Sequence, residues 1–118
     1  MKITDVKTWV VGNPPPGFGG RYFVFVKLTT ACGIVGYGEI YAASFGPEAM
    51  ACLAEDVFTR YLEGSDPFAV EGFFRRAYGS GFTQRPDPTM SGVVSGLEMA
   101  MWDIIGKALG KPVHALLG

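Results

Sequence analysis

Apolar and polar positions alternate through the first forty residues of the chain, and then the period changes. In ITDVKTWVV, Ile3, Val6, Trp9 and Val11 are mixed with Thr4, Asp5, Lys7 and Thr8, which predicts a strand over residues 2–11. GNPPPGFGG follows. Three consecutive prolines among four glycines fit neither a helix nor a central strand, so residues 12–20 are expected to form a loop. RYFVFVKLTT, rich in β-branched and aromatic residues, predicts a second strand, ACG a turn, and IVGYGEIY a third strand. Gly36 and Gly38 within it suggest a bulge or a close approach of another backbone. Three consecutive strands joined in this way make an antiparallel meander.

Beyond residue 43 the spacing is helical. In SFGPEAMACLAEDVFTRYLEG, Ser44 is a candidate cap and Pro47 stands in a first turn. Met50, Leu53, Ala54, Val57, Phe58, Tyr61 and Leu62 form one face, and Gly64 ends the helix. SDPFAVEGFFRRAYGSG repeats the pattern, with Asp66 as cap, Pro67 as the start and Phe68, Phe73, Phe74 and Tyr78 as apolar bulk. GSGFTQRPDP reads as a loop. A last helix is expected from Thr89 or Ser91 to Leu109, with Gly110 at its end and Pro112 beyond, followed by a short turn in PVHALLG. The fold class is α+β, a three-stranded meander followed by two or three helices in one domain of 118 residues.

Composition narrows the function. Only 18% of the residues are charged and the net charge is −1, so part of the surface is expected to be covered and no basic patch recruits a phosphate backbone. Nucleic-acid binding is therefore not expected. The N-terminus has no apolar signal region and no run approaches a membrane span, which points to a cytoplasmic protein. Cys32 and Cys52 match no zinc or redox spacing and read as two reduced thiols.

The last helix is apolar nearly all round. Val94, Leu97, Met101, Ile104 and Ala108 form one stripe, Val93, Ala100 and Leu109 broaden it, and Trp102 and Ile105 point elsewhere. A helix of this kind is buried, and a thin sheet with two short helices is expected to cover one side only. The segment SGLEMAMWDIIGKALGKPVHALLG resembles the signature that closes the N-terminal capping domain of the mandelate racemase / muconate lactonizing enzyme group of the enolase superfamily. The likeness runs through Ser95, Gly96, Leu97, Glu98, Ala100, Asp103, Ile104, Gly106, Lys107, Pro112, Val113, Leu116, Leu117 and Gly118. It departs at Val93 and Met101, where the site stays apolar. The meander followed by helices extends the resemblance over all 118 residues.

The resemblance implies a capping domain for a (β/α)7β barrel that is absent from this chain and carries the acid/base residues and the Mg2+ ligands. It also implies that the uncovered face of the last helix meets that barrel, and that the enzyme is a homo-oligomer acting on a small-molecule carboxylate. The chemistry of the group is abstraction of the proton α to a carboxylate, with the enediolate stabilised on Mg2+. The ending is most similar to the sugar-acid dehydratases, which makes an aldonate-type dehydratase the leading expectation and a segment inactive by itself. A racemase, epimerase or cycloisomerase of the group is the alternative. From another class, a free-standing α+β binding or oligomerisation module would use the apolar helix as its interface.

No catalytic residue and no metal ligand is assigned to this chain. Asp103 and Lys107, four apart on a helix, read as a structural pair. Glu98, one turn before Trp102, reads the same way, and His114 as a half-buried residue of the terminal turn. GFGG at 17–20 lies between strands, without the helix N-terminus of a phosphate site. In the family the loops after the first and third strands close over the barrel mouth, and here these are NPPPGFGGRY and EIYAASFG. The substrate-binding candidates are Phe18, Tyr22, Tyr41 and Phe45, which would exclude water, with Arg21 for carboxylate or hydroxyl groups and Arg85 as a third-loop candidate.

Overall fold

The computed structural model describes residues 1–41, 46–80 and 87–118. Three strands, β1 (Ile3–Gly12), β2 (Tyr22–Thr30) and β3 (Val35–Ile40), form one antiparallel sheet in the order β1-β2-β3. Four helices follow: α1 (Pro47–Tyr61), α2 (Val70–Gly79), α3 (Pro88–Leu109) and α4 (Val113–Leu117). The α+β class and the meander agree with the sequence reading.

Alternation sorts the sheet into two faces. Val24, Val26 and Leu28 are fully buried and Thr30 nearly so. Opposite them on β1 stand Val10, Thr8, Val6 and Ile3. The outer face pairs Val11 with Phe23, Trp9 with Phe25 and Lys7 with Lys27 across the strands. Phe23 stacks on Phe25 at 6.2 Å between centroids, and the Lys7 ammonium lies 5.1 Å from the Trp9 ring.

The register from β2 to β3 runs unbroken, Val24 facing Ile40 through Thr29 facing Val35. The only shift lies in β1, between Ile3 and Asp5. Gly36 and Gly38 therefore mark a close approach and no bulge. A Cβ at Gly36 would overlap the Ala100 carbonyl oxygen, and one at Gly38 would overlap that of Gly96. From the other side, a Cβ at Gly96 would overlap Ile40. Glycine on both partners lets α3 lie directly on the backbone of β3.

This seating corrects the expectation of a half-covered last helix. Val93, Leu97, Ala100, Met101 and Ile104 have no exposed surface, and Val94 and Ile105 have 4% and 5%. The sheet covers one side of α3, and α1 and α2 pack on the other. The apolar surface left open on α3 includes Met99, Leu109 and part of Trp102, with Leu109 and Trp102 in a groove of about 380 Å3 shared with Phe68, Val70, Ile105 and Leu116. Two glycines on β3 remove the side-chain layer on one side of the helix, so it is covered more fully than a side-chain-bearing strand would allow.

Helix boundaries show a second correction. Asp66 does not cap α2. Its Oδ1 accepts the Phe68 N–H at 3.1 Å in a turn, and the helix starts at Val70 after Ala69. The cap geometry belongs instead to Asp87, whose Oδ1 accepts the N–H groups of Thr89 at 2.9 Å and Met90 at 3.4 Å, with Pro88 in the first turn. The N-cap of α1 is Gly46, at φ 68°; Ser44 lies outside the described residues. Gly110, at φ 63°, ends α3, and Lys111 donates to the Gly106 carbonyl at 2.9 Å, the closure of a Schellman motif. On α2 only Phe73 of the four predicted aromatics is buried, while Phe74 and Tyr78 stack at 5.3 Å on the outer side.

β3 is an edge strand, and α3 occupies its free side. Asp103 Oδ2 accepts the Tyr37 N–H at 2.9 Å, and Lys107 Nζ donates to the Val35 carbonyl at 2.8 Å. The two charges meet at 2.6 Å. The pair expected from i, i+4 spacing thus also satisfies edge groups that would otherwise be open to another strand. Trp102 Nε1 lies 3.4 Å from Glu98 Oε1, in line with a structural role for that acid.

Candidate functional site

The antiparallel register fixes where the loops emerge. Gly12 faces Tyr22 and Val24 faces Ile40, so the end of β1, the start of β2 and the end of β3 lie at one end of the sheet. α3 runs antiparallel to β3, because Gly96 faces Gly38 and Ala100 faces Gly36. Its first turns therefore return to the same end, where Gly92 sits against the backbone of Tyr41.

At that end Gly12, Asn13, Pro14 to Gly17, Arg21 and Tyr22 line an open cleft of about 660 Å3. The loop between β1 and β2 is two successive turns. Gly17 N–H donates to the Pro14 carbonyl at 3.0 Å and Gly20 N–H to the Gly17 carbonyl at 3.1 Å. Gly17, Gly19 and Gly20 take φ of 67°, 88° and 139°, values a side chain would strain. The Asn13 amide donates to the carbonyls of Phe18 and Gly20, each at 2.8 Å.

Of the six candidates, Arg21 and Tyr22 are brought together on the cleft. Phe18 stands at the loop tip, 84% exposed, and Tyr41 is 74% exposed just beyond β3. Neither lines the cleft. Phe45 and Arg85 lie outside the described residues. Asn13 was not among the candidates, although an asparagine directly before a proline run is a recognisable turn former. The cleft is lined by an arginine, a tyrosine and proline rings, residue types that suit hydroxyl and carboxylate groups.

The remaining titratable candidates stand apart from it. His114 is exposed on α4, where the sequence reading placed it half-buried. Cys32 and Cys52 are free and exposed, as two reduced thiols would be. The Thr30 hydroxyl, 3.3 Å from Cys32 Sγ, is the main cause that lowers the Cys32 pKa below its ordinary value, with the Ile34 backbone next. Among the described residues no group of three or more His, Cys, Asp and Glu side chains is placed to hold a metal ion. These donors do not fit a Mg2+ site. No helix among these residues is long and apolar enough to cross a membrane.

Comparison with known proteins matches residues 18–118 to the family described as mandelate racemase / muconate lactonizing enzyme, N-terminal domain. The chain belongs to that family. It is 36% identical over its whole length to D-galactonate dehydratase of Pectobacterium atrosepticum, of which it covers 28%. Among solved structures it resembles a protein from Labrenzia alexandrii assigned to the mandelate racemase/muconate lactonizing enzyme group. There the TM-score is 0.95 and the identity 64%, over 100% of this chain and 30% of the other. More distantly it resembles the 3,6-anhydro-D-galactonate cycloisomerase of Zobellia galactanivorans, at a TM-score of 0.83 and 27% identity, over 100% of this chain and 32% of the other. The chain thus spans under a third of the length of these relatives.

Proposed function

We propose that this chain is the capping and specificity domain of a sugar-acid dehydratase of the enolase superfamily. The observation that carries the reading is the 36% identity to a D-galactonate dehydratase over all 118 residues of the chain. Dehydration of such an acid removes the proton α to the carboxylate and expels the β-hydroxyl as water. The resulting enol tautomerises to a 2-keto-3-deoxy acid. In this reading a barrel domain outside these residues would supply the base and the carboxylates for Mg2+, and the ion would supply electrostatic stabilisation of developing negative charge.

The role of this chain is to shape the far side of the substrate site. Arg21 binds a carboxylate or hydroxyl group, Tyr22 flanks it, and Phe18 and Tyr41 exclude water as the loops close. Phe45 and Arg85 are proposed as further substrate contacts. The whole enzyme is proposed to be a cytoplasmic homo-oligomer with a small carboxylate as ligand and neither nucleic acid nor membrane as partner. A cycloisomerase is the second reading, favoured by the likeness to the Zobellia enzyme.

The test is turnover by the whole protein. D-galactonate with Mg2+ is expected to yield the 2-keto-3-deoxy acid, and EDTA to abolish the reaction. The 118-residue chain alone is expected to be inactive. Turnover by that piece, or failure of the whole protein with a panel of sugar acids, would overturn the reading.

A further inference from the structure

We infer that Asn13 is the positioning residue of the β1–β2 loop, clasping it into a preformed body before any ligand arrives. The inference rests on the lid role proposed above. The loop buries almost nothing: Pro14, Pro15, Pro16, Phe18, Gly19 and Gly20 are all exposed. Its shape is therefore held by polar bonds within the loop itself.

Asn13 makes three of them. Its backbone N–H donates to the Arg21 carbonyl at 2.8 Å, which closes the neck. Its two side-chain N–H groups go to the carbonyls of Phe18 and Gly20, on either side of Gly19. Both neighbours are acceptors, so the amide can face them only with its nitrogen. Aspartate would turn a carboxylate toward two carbonyl oxygens, and alanine would leave both without this partner. The bonds span the tip that carries Phe18 and end beside Arg21, so the clasp sets both side chains relative to the cleft. A loop already in shape spares the ligand the ordering entropy.

The test compares the whole protein with its Asn13→Ala and Asn13→Asp variants. The first readout is the rate of chymotryptic cleavage after Phe18, followed by mass spectrometry, with circular dichroism to confirm the fold. The second is KM and kcat with D-galactonate. Both variants are expected to be cut about fivefold faster or more, since two hydrogen bonds no longer oppose local opening. KM is expected to rise by about fivefold while kcat stays within about twofold. Cleavage unchanged in both folded variants overturns the clasp. Faster cleavage with unchanged KM keeps the clasp but overturns the lid reading and the positioning role with it. If the parent protein does not turn over D-galactonate, the dehydratase reading fails, and the proteolysis alone decides the clasp.

Discussion

The carboxylate of Asp103, on the long helix, accepts the backbone N–H of Tyr37, on the edge strand, at 2.9 Å. The same oxygen meets the Lys107 ammonium, which reaches on to the Val35 carbonyl. One ion pair therefore serves as two rungs of a ladder that has no next strand. Asp103→Ala is expected to destabilise the chain by about 1.5–3 kcal/mol, the range for a hydrogen bond to a charged group. Lys107→Met is expected to cost less, because that side chain is 43% exposed and screened by water. Urea unfolding of the two variants checks the order, and a larger loss for Lys107→Met would contradict it.

The contact between α3 and β3 makes a sharper forecast. Gly38→Ala drives a methyl group into the Gly96 carbonyl, where only backbone can give way. A loss of at least about 2 kcal/mol is expected. Gly12→Ala is the control: nothing lies within 4 Å of the added carbon, and the effect should stay within about 0.5 kcal/mol. Equal melting temperatures for the two variants would refute the tight seating.

The two Asp-Pro pairs should respond differently. Asp87→Ala removes the acceptor for two orphan N–H groups of α3 and is expected to cost about 1 kcal/mol. Asp66→Ala removes one turn contact ahead of α2 and should cost about half as much. Thermal unfolding of both variants distinguishes a helix cap from a turn.

Cys32 supplies a pH-dependent readout. Its contact with Thr30, with the Ile34 backbone next, lowers the folded-state pKa. A group lowered in this way favours folding above its unfolded-state pKa and loses that contribution as pH falls through the folded value. Alkylation of Cys32 by iodoacetamide should accordingly rise at a lower pH than in a Thr30→Val variant. Coincident pH profiles would show that the hydroxyl does not act on the sulfur.

The same residue pairs show how much was legible in the chain. Alternation located the three strands, because one face is buried and the other is not. The Gly-x-Gly of β3 correctly announced a close backbone approach. Asp-Pro marked a turn at residue 66 and a helix cap at residue 87, and the dipeptide alone does not distinguish them. What differs is the next turn: Ala69, at φ −85° and ψ 46°, leaves the helical path, while Thr89 and Met90 take it. The cover over α3 was not legible either. It depends on glycines that are distant in sequence and adjacent only once the sheet has formed. At the candidate site the register put Arg21, Tyr22 and Tyr41 at one end of the sheet, as loop positions implied. Asn13 before the proline run marked a turn, but its role in holding the loop was missed because its partners are backbone carbonyl groups, which residue identity does not reveal.

A rod resting on bare glycine backbone cannot slip. Sliding α3 by two strand residues would bring Ile40 to the place of Gly38, onto the Gly96 carbonyl. Helix and sheet therefore travel as a single block.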